Sequence, residues 1–236
     1  MKGNRHTGRR RGPWDRVWLA ILWRYFSHSV MVFVCVMAER FPASPLSDRI
    51  LGVTPFIPVI ARYNYHLWIL AYIPIAVWFW KIDRNRFVAF MYTGGVVSLL
   101  RAMTIYATSL GPVRGADINA GASFEKAFHS WVAIVNPVSA LTSSAPHIYL
   151  TKDLFFSGHT ASTFLLWLYV RPYRNIGTVA LVAHILVVAT VFLSHLHYTI
   201  DVIGAWAITF CVFTLVEKSG FFADHRTPST IPTAQL

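Results

Sequence analysis

Apolar residues in this chain form long blocks rather than the spaced pattern of an amphipathic helix. A bilayer core of about 30 Å is crossed by about 20 helical residues, and six blocks come near that length. They cover residues 17–38, 66–80, 87–110, 154–170, 176–194 and 200–216. These blocks lack the apolar–polar alternation that a transmembrane β-barrel needs. The pattern therefore predicts an all-α integral membrane protein, built as a bundle of six transmembrane helices.

Composition narrows the class of protein further. Of the 236 residues, 55% are hydrophobic and 13% are charged, whereas a soluble domain carries about 25% charged residues. This excludes both a water-soluble globule and a disordered chain. Cys35 and Cys211 lie inside apolar blocks, so no disulfide framework or zinc cluster is expected. The net charge of +11 indicates cytoplasmic loops and anionic headgroups rather than a nucleic-acid partner, because the chain is so apolar.

Lysine and arginine positions predict the orientation of the bundle. With the N-terminus inside, the cytoplasmic segments hold most of them, including Arg9, Arg10, Arg11, Lys81, Arg84, Arg86, Arg171, Arg174 and Lys218. The positive-inside rule then places both termini in the cytoplasm and segments 39–65 and 111–153 outside. Within the second external segment, residues 122–135 are predicted to form a short helix lying on the outer surface.

The chain is predicted to form one membrane catalytic domain, residues 14–218, between two cytoplasmic tails, residues 1–13 and 219–236. The first apolar block follows a basic segment, as in a signal peptide. Its apolar stretch is longer than is usual there, and no clean small-residue cleavage site follows. A retained membrane anchor is therefore favoured.

Ionisable side chains collect where three of the blocks meet one side of the membrane. Ser157, Gly158 and His159 open the fourth block, and His197 and Asp201 join the fifth block to the sixth. Such groups are costly in lipid, so their clustering indicates a functional site. The topology alone brings the two histidines and the aspartate to the same side at similar depth.

These residue types are suited to phosphoryl transfer. His197 and Asp201 are four residues apart and would share a face of a helix, so that the carboxylate orients the imidazole as a nucleophile. His159 would protonate the leaving oxygen and later deprotonate the acceptor. Motifs as short as Ser-Gly-His and His-x-x-x-Asp each arise by chance in unrelated chains. Their combination at one depth, together with an arginine inside the membrane, indicates a site.

Other residues are expected to bind the phosphate group. Arg101, in the outer half of the third block, would supply positive charge, and Lys152 is a weaker candidate. Ser157 would donate a hydrogen bond to a phosphoryl oxygen, and Gly158 would allow the backbone to come close. His195 is interpreted as a headgroup contact or a solvated loop residue, although it could be a third histidine of the site.

Two ionisable residues inside the blocks have simpler interpretations. Arg24 is expected to extend toward the headgroups of the inner leaflet. His184 lies in the middle of the fifth block and is expected to hydrogen-bond to a neighbouring helix.

Four stretches together resemble the sphingomyelin synthase family, the lipid-transferase branch of the type 2 phosphatidic acid phosphatase superfamily. They are Pro-Leu-Ser-Asp at 45–48, Leu-Leu-Arg-Ala-Met-Thr-Ile-Tyr-Ala-Thr-Ser-Leu at 99–110, Lys-Asp-Leu-Phe-Phe-Ser-Gly-His-Thr at 152–160 and His-Leu-His-Tyr-Thr-Ile-Asp-Val at 195–202. The resemblance covers about residues 45 to 206, in the family's order and with similar spacing. The Lys-x6-Arg-Pro signature of the phosphatase branch does not occur, which favours the transferase branch.

The resemblance implies a six-helix enzyme whose site lies on the exoplasmic side, periplasmic or lumenal. It implies that His197 is the nucleophile, forming a phosphohistidine intermediate, that His159 is the acid and base, and that Asp201 orients the nucleophile. The implied reaction moves phosphocholine or phosphoethanolamine from a glycerophospholipid to a ceramide-like alcohol and releases diacylglycerol. Asp153 matches the acidic residue before the family's Ser-Gly-His, and Glu125 is similar to a further acidic position near the site.

Two other functions stay open from the sequence. A lipid phosphate phosphatase or phospholipase C-like hydrolase would share the first half-reaction and use water as the acceptor. A non-catalytic lipid-binding or transport protein would carry the same residues as a relic, although no inverted repeat supports transport. The expected partners are a phospholipid donor, a lipid alcohol acceptor and the membrane, and a homo-oligomer is compatible with the sequence. No cofactor or metal is expected, because the ten acidic residues form no ligand cluster.

Overall fold

The computed structural model describes residues 13–136 and 150–220, and within these ranges the secondary structure is entirely helical. The helices are α1 Pro13–Ala38, α2 Arg49–Val53, α3 Pro58–Ile82, α4 Arg84–Thr108, α5 Phe124–Val135, α6 Gly158–Val170, α7 Arg174–Leu193 and α8 Thr199–Ser219. The all-α prediction is therefore confirmed. The two predicted tails fall almost entirely outside the described residues.

Five of these helices are long and apolar enough to cross a membrane: α1 from Asp15, α3, α4, α7 and α8. The fourth predicted span differs, because α6 has 13 residues, which is about 20 Å of helix and shorter than a bilayer core. Residues 154–157 approach it as irregular chain, and most of α6 is buried by its neighbours. Six full spans are therefore not confirmed.

The five long helices and the shorter α6 alternate in direction. α1, α4 and α7 run toward one side of the bundle, and α3, α6 and α8 run away from it. We call this side, which carries residues 39–57, 109–123, 150–157 and 194–198, the site side. At the opposite side Asp83 caps α4, accepting a hydrogen bond from the Arg86 N–H at 2.9 Å and another from the Tyr173 hydroxyl at 2.7 Å.

An aromatic core joins α3, α4, α6 and α8 in the half of the bundle away from the site side. Phe79 packs edge to face against Phe90 at 6.0 Å, and Tyr169 against Phe90 at 5.8 Å and Phe213 at 5.1 Å, between ring centroids. Such pairs contribute about 0.5–1.5 kcal/mol each beyond the burial of their area. The core fixes the C-terminal half of α6, so that its N-terminus points to the site side.

α5 is the helix predicted at 122–135, but it does not lie across the end of the bundle. It packs lengthwise against α1 in the antiparallel direction, from Phe124 beside Arg40 to Val135 beside Tyr25. The physical reason is an apolar face of α5, including the fully buried Ala127, which joins a cluster on α1 and α4. The structure therefore places α5 along α1, whereas the sequence predicted a helix lying on the outer surface.

Candidate active site

His197 and Asp201 meet at the start of α8. His197 lies in the turn before the helix, which begins at Thr199, so the two residues do not share a helical face as their spacing had suggested. Asp201 is instead part of the helix cap, where Oδ2 accepts a hydrogen bond from the Tyr198 N–H at 2.9 Å. The same oxygen lies 3.4 Å from Nδ1 of His197. Both side chains are buried, with exposed fractions of 2% and 0%.

The contact between His197 and Asp201 is an ion-pair distance and lacks the geometry of a direct hydrogen bond. A carboxylate at Nδ1 favours the tautomer that carries its proton there. Nε2, the ring nitrogen farther from the carboxylate, then holds the free lone pair. The pair is therefore arranged to present Nε2 as a base or nucleophile.

The turn that holds His197 is tied to the Pro-Leu-Ser-Asp stretch. The Tyr198 hydroxyl accepts a hydrogen bond from the Leu46 N–H at 2.9 Å and donates to the Gly111 carbonyl at 3.1 Å. Asp48 accepts from the Thr199 N–H at 2.6 Å and from its hydroxyl at 3.0 Å. Burial acts to raise the pKa of Asp48, but these hydrogen bonds lower it. The stretch therefore positions the start of α8.

His159 faces His197 from the N-terminus of α6. The ring centroids are 6.4 Å apart and the planes are inclined by 62°. Ser157 caps α6 by accepting a hydrogen bond from the Thr160 N–H at 3.3 Å, and its own N–H donates to the Asp201 carbonyl at 3.0 Å. Within the described residues, the buried Nε2 of His159 has no hydrogen-bond partner. A buried polar atom left unpaired is unusual and is expected where a substrate binds.

Two hydroxyl groups hold the main chain at His159, and the sequence did not indicate them. Ser162 and Thr163 donate to its carbonyl at 3.1 and 2.9 Å. The Trp68 indole of α3 donates to Ser162 at 2.9 Å, and its ring packs against that of His159 at 5.4 Å. His184 of α7 hydrogen-bonds to Thr163 at 2.8 Å, which confirms the bond to a neighbouring helix predicted for it.

Arg101 lies at the base of the site, against Gly158. Nη2 is 2.7 Å from Oδ1 of Asp153, Nε donates to the Phe156 carbonyl, and Nη1 is 3.1 Å from the Met31 sulfur. A Cβ added to Gly158 would lie 3.1 Å from the guanidinium carbon, closer than ordinary van der Waals contact, so glycine favours this approach. The N–H groups of Arg101 are directed at the protein. Its positive charge is close to the site, and its role as a phosphate ligand stays a prediction.

Asp153 is held between two side chains. Oδ1 pairs with Arg101 and accepts a hydrogen bond from the Cys35 thiol at 3.0 Å. Burial acts to raise the pKa of Asp153, but the guanidinium and the thiol lower it. Asp153 is therefore an ionised partner that fixes Arg101 beneath the loop.

Lys152 belongs to a separate polar network on the site side. Its ammonium donates to the carbonyls of Glu39 and Phe41, both at 2.7 Å, and pairs with Asp117 at 2.7 Å. The Glu39 carboxylate accepts hydrogen bonds from the main chain of Thr151 and Lys152. An ammonium has three donors, and all three are used here. The structure thus places Lys152 in the loop architecture, and its role as a phosphate ligand stays a prediction.

Two other predicted residues lie apart from this cluster. Glu125 is exposed in the first turn of α5, where its carboxylate is 3.9 Å from His129. His195 adopts a positive φ of 49°, its Nε2 is 3.0 Å from the Thr54 carbonyl, and its ring packs against Phe56. His195 is half-buried, contacts a neighbouring loop and is not part of the pair formed by His159 and His197.

α1 carries a polar stripe that the sequence interpretation missed. The contacts follow one face of the helix: Arg24 to Ser98, Met31 to Arg101, Cys35 to Asp153 and, just past its end, Glu39 to Thr151. Arg24 thus turns into the bundle instead of extending toward headgroups, because Ser98 offers it an acceptor there. The signal was available as polar residues at helical spacing within an apolar span.

The assembled groups are suited to nucleophilic and acid–base chemistry. Two imidazoles face each other, one backed by a carboxylate, and a buried guanidinium lies beneath them. Across residues 13–136 and 150–220, no three His, Cys, Asp or Glu side chains converge as metal ligands would. A phosphoryl group placed between the rings would meet a nucleophile, a proton donor and a positive charge.

Part of the chain matches a known protein family. Residues 152–219, which comprise α6, α7, α8 and the loop before them, match the family described as "PAP2 superfamily C-terminal". This segment contains His159, His197 and Asp201.

Most of the chain is similar to sphingomyelin synthases. It is 26% identical over 223 residues to mouse "Phosphatidylcholine:ceramide cholinephosphotransferase 1", covering 85% of this chain and 51% of the relative. It is 28% identical over 213 residues to human "Phosphatidylcholine:ceramide cholinephosphotransferase 2", covering 83% and 57%. It is 28% identical over 252 residues to mouse "Sphingomyelin synthase-related protein 1", covering 94% and 50%. The chain spans about half the length of these relatives. The comparisons confirm the resemblance predicted from the motifs.

A test of the network around Lys152 separates architecture from catalysis. We expect Lys152→Met to lower the free energy of unfolding by about 3 kcal/mol, because Asp117 would lose its buried partner. The turnover of the remaining folded protein should stay unchanged. Thermal unfolding in detergent, followed by activity per folded molecule, measures both. Lys126→Met is the matched control, since that lysine lies on the exposed side of α5. A selective loss of turnover in Lys152→Met would restore it as a substrate ligand.

Proposed function

We propose that this protein transfers a phospho-headgroup, phosphocholine or phosphoethanolamine, from a glycerophospholipid to a ceramide-like lipid alcohol and releases diacylglycerol. The observation that carries the proposal is the facing pair of His159 and His197, with Asp201 at 3.4 Å from the latter. The names of the relatives support phosphatidylcholine and ceramide as the substrates to test first.

In the first half-reaction, Nε2 of His197 attacks the phosphorus of the donor lipid. The bond from phosphorus to the diacylglycerol oxygen breaks, and that oxygen takes a proton from protonated His159. The products are diacylglycerol and a phosphohistidine that retains the headgroup. Asp201 stabilises the positive charge that develops on the His197 ring, as an orienting carboxylate does in other histidine-dependent sites.

In the second half-reaction, the acceptor alcohol binds where diacylglycerol has left. His159, now neutral, removes the hydroxyl proton, and the alcohol oxygen attacks phosphorus. The bond between phosphorus and Nε2 breaks and regenerates His197. Arg101 contributes positive charge below the loop throughout, held in place by Asp153. Water in place of the lipid alcohol would make the same site a hydrolase.

We propose six membrane crossings, with α6 and the segment before it forming the fourth. Both chain ends would be cytoplasmic, and residues 14–218 would form the membrane domain. The site side would then be exoplasmic. The alternating helix directions and the basic residues Lys81, Arg84 and Arg171 away from the site side support this orientation. A reporter fused after Leu236 should be found inside the cell.

A headgroup-transfer assay tests the reaction. The purified full chain in mixed micelles receives a fluorescent ceramide together with phosphatidylcholine, phosphatidylethanolamine or phosphatidylglycerol. We expect a phospho-headgroup ceramide and an equal amount of diacylglycerol with the first or second donor. His159→Ala, analysed in parallel, should form neither at a comparable rate. Diacylglycerol formed without a ceramide product would identify water as the acceptor and overturn the transferase proposal.

A further inference from the structure

α5 contacts α1 at three successive levels. At the site side, the Arg40 side chain donates to the Ala122 carbonyl at 2.9 Å, and its guanidinium lies 5.7 Å from the Phe124 ring centroid. Further along, the Trp131 indole donates to the Ser29 carbonyl at 2.9 Å. These contacts order α5 along α1, with its first residues at the outer end of α1 and its later residues deeper.

The last contact lies far from the end of α1. The Tyr25 hydroxyl donates to the Val135 carbonyl at 2.7 Å. Along α1, Tyr25 is about 20 Å from Ala38 at about 1.5 Å per residue. α1 is one of the helices long and apolar enough to span a membrane. A bilayer core is about 30 Å thick, so a helix end about 20 Å along this span lies well inside that core.

The chain is on the site side both before α5 and after it. Gly121 donates its N–H to the Arg40 carbonyl at 2.8 Å. Thr151 is again at the end of α1, where its hydroxyl donates to Glu39 at 2.8 Å. α5 therefore enters the span region and the chain is back on the same side by residue 151, which distinguishes α5 from a crossing helix.

The side chains of α5 become less polar from its site-side end toward its deeper end. Its charged residues, Glu125 and Lys126, are in the first turn, and the residues from Ser130 to Val135 are uncharged. Phe124, Phe128 and Val132 form an exposed stripe, with exposed fractions of 54%, 41% and 42%. Spacings of four residues place them on one face, which is more exposed than the position of Ala127, the α5 residue buried against α1 and α4.

The hydrogen bond from Tyr25 explains how the helix end is tolerated at this depth. The last carbonyls of a helix lack partners within the helix, and an unpaired carbonyl in hydrocarbon costs several kcal/mol. Tyr25, which is 47% exposed on α1, satisfies the Val135 carbonyl. If the end of α5 were in water, this hydrogen bond would not be needed, because water would satisfy the carbonyl equally well.

We propose that α5 is a re-entrant helix whose Phe124–Phe128–Val132 stripe contacts the acyl chains of the leaflet on the site side. The stripe continues an apolar surface of α1 on which Leu22 and Phe26 are 60% and 59% exposed. Lipid is the occupant that this continuity favours, because a spanning helix has hydrocarbon on its exposed apolar face at that level.

Depth-dependent fluorescence quenching tests this placement in the full chain. Cys211 is exposed and is replaced by alanine, whereas Cys35 is buried and kept. Single cysteines at Glu125, Phe128 and Val132 then receive a small fluorophore, and the protein is reconstituted into phosphatidylcholine vesicles. Nitroxides placed near the headgroup or deep in the acyl chain act as quenchers. We expect quenching to shift from the shallow nitroxide at 125 to the deep nitroxide at 132, with a parallel loss of labelling by a membrane-impermeant maleimide.

Each contrary pattern has a defined meaning. Equal shallow quenching at all three positions would show a helix lying on the membrane surface and overturn the proposal. Protection of Val132 from both maleimide and nitroxide lipids would show that protein, such as a second copy of the chain, covers the stripe, which also overturns it. A cysteine at Leu22 on α1 provides the reference for a lipid-facing residue in the same membrane, and elution as a single species confirms that each variant is folded.

Discussion

His197→Ala is expected to abolish headgroup transfer, with a fall in rate of about 10⁴-fold or more, as for essential side chains of other covalent mechanisms. The reason is that Nε2 of His197 is the proposed attacking atom, and no other imidazole is paired with Asp201 in the described structure. With a donor radiolabelled at phosphorus and no acceptor, the unchanged protein should retain acid-labile label after rapid denaturation. His197→Ala should retain none.

The control for His197→Ala is His129→Ala, because His129 is an exposed histidine on α5 that contacts Glu125 and not the site. It should transfer headgroups at the original rate. Thermal unfolding of both variants verifies the fold. If His197→Ala keeps measurable transfer and phosphorus label, the nucleophile has been assigned to the wrong residue.

His159→Ala is expected to reduce transfer by about 10²- to 10⁴-fold, the range for loss of a general acid and base. If His159 protonates the leaving oxygen, the effect of His159→Ala on the rate should depend on the leaving group. The effect of His197→Ala should not. With a phosphocholine ester of nitrophenol, the leaving oxygen does not need a proton. His159→Ala should therefore recover a single turnover of nitrophenolate, equal to the amount of enzyme, and then stall because the acceptor is not deprotonated.

His197→Ala provides the contrast in the same experiment, since it should release no nitrophenolate, neither in the first turnover nor afterwards. His195→Ala is a second comparison, because that histidine binds the Thr54 carbonyl in a neighbouring loop. If His159→Ala is equally slow with the nitrophenyl ester and with the lipid donor, its role is structural. Loss of the Trp68 packing against its ring would then be the physical explanation.

Much of the candidate site was predictable from local features. The apolar blocks showed a helical membrane bundle, because hydropathy over about 20 residues reports a span without knowledge of its neighbours. The order of the blocks brought His159, His197 and Asp201 to one side, since successive spans alternate in direction. The spacing of His197 and Asp201 led to the correct proximity for an incorrect reason, because the pair is formed by a capping turn and not by a helical face.

The residues whose surroundings were not predicted are those with partners remote in the chain. Lys152 and Arg101 both looked available for phosphate, yet each is directed at protein atoms. The partners of Lys152 include Asp117 and Glu39, and Arg101 is held by Asp153 and Met31. A charged side chain in an apolar chain is expected near an anion, but local sequence does not distinguish a substrate phosphate from an internal carboxylate.

The sequence by itself therefore determined the family resemblance, the helical architecture and the choice of the candidate His–His–Asp group. These follow from hydropathy and from short motifs, whose information is contained in neighbouring residues. Only the tertiary structure decided which charges face the site, that α1 supports the site through a polar stripe, and that α5 runs along α1 toward its middle. Those features depend on which distant atoms satisfy each buried polar group, because such a group must find its partner wherever the fold supplies one.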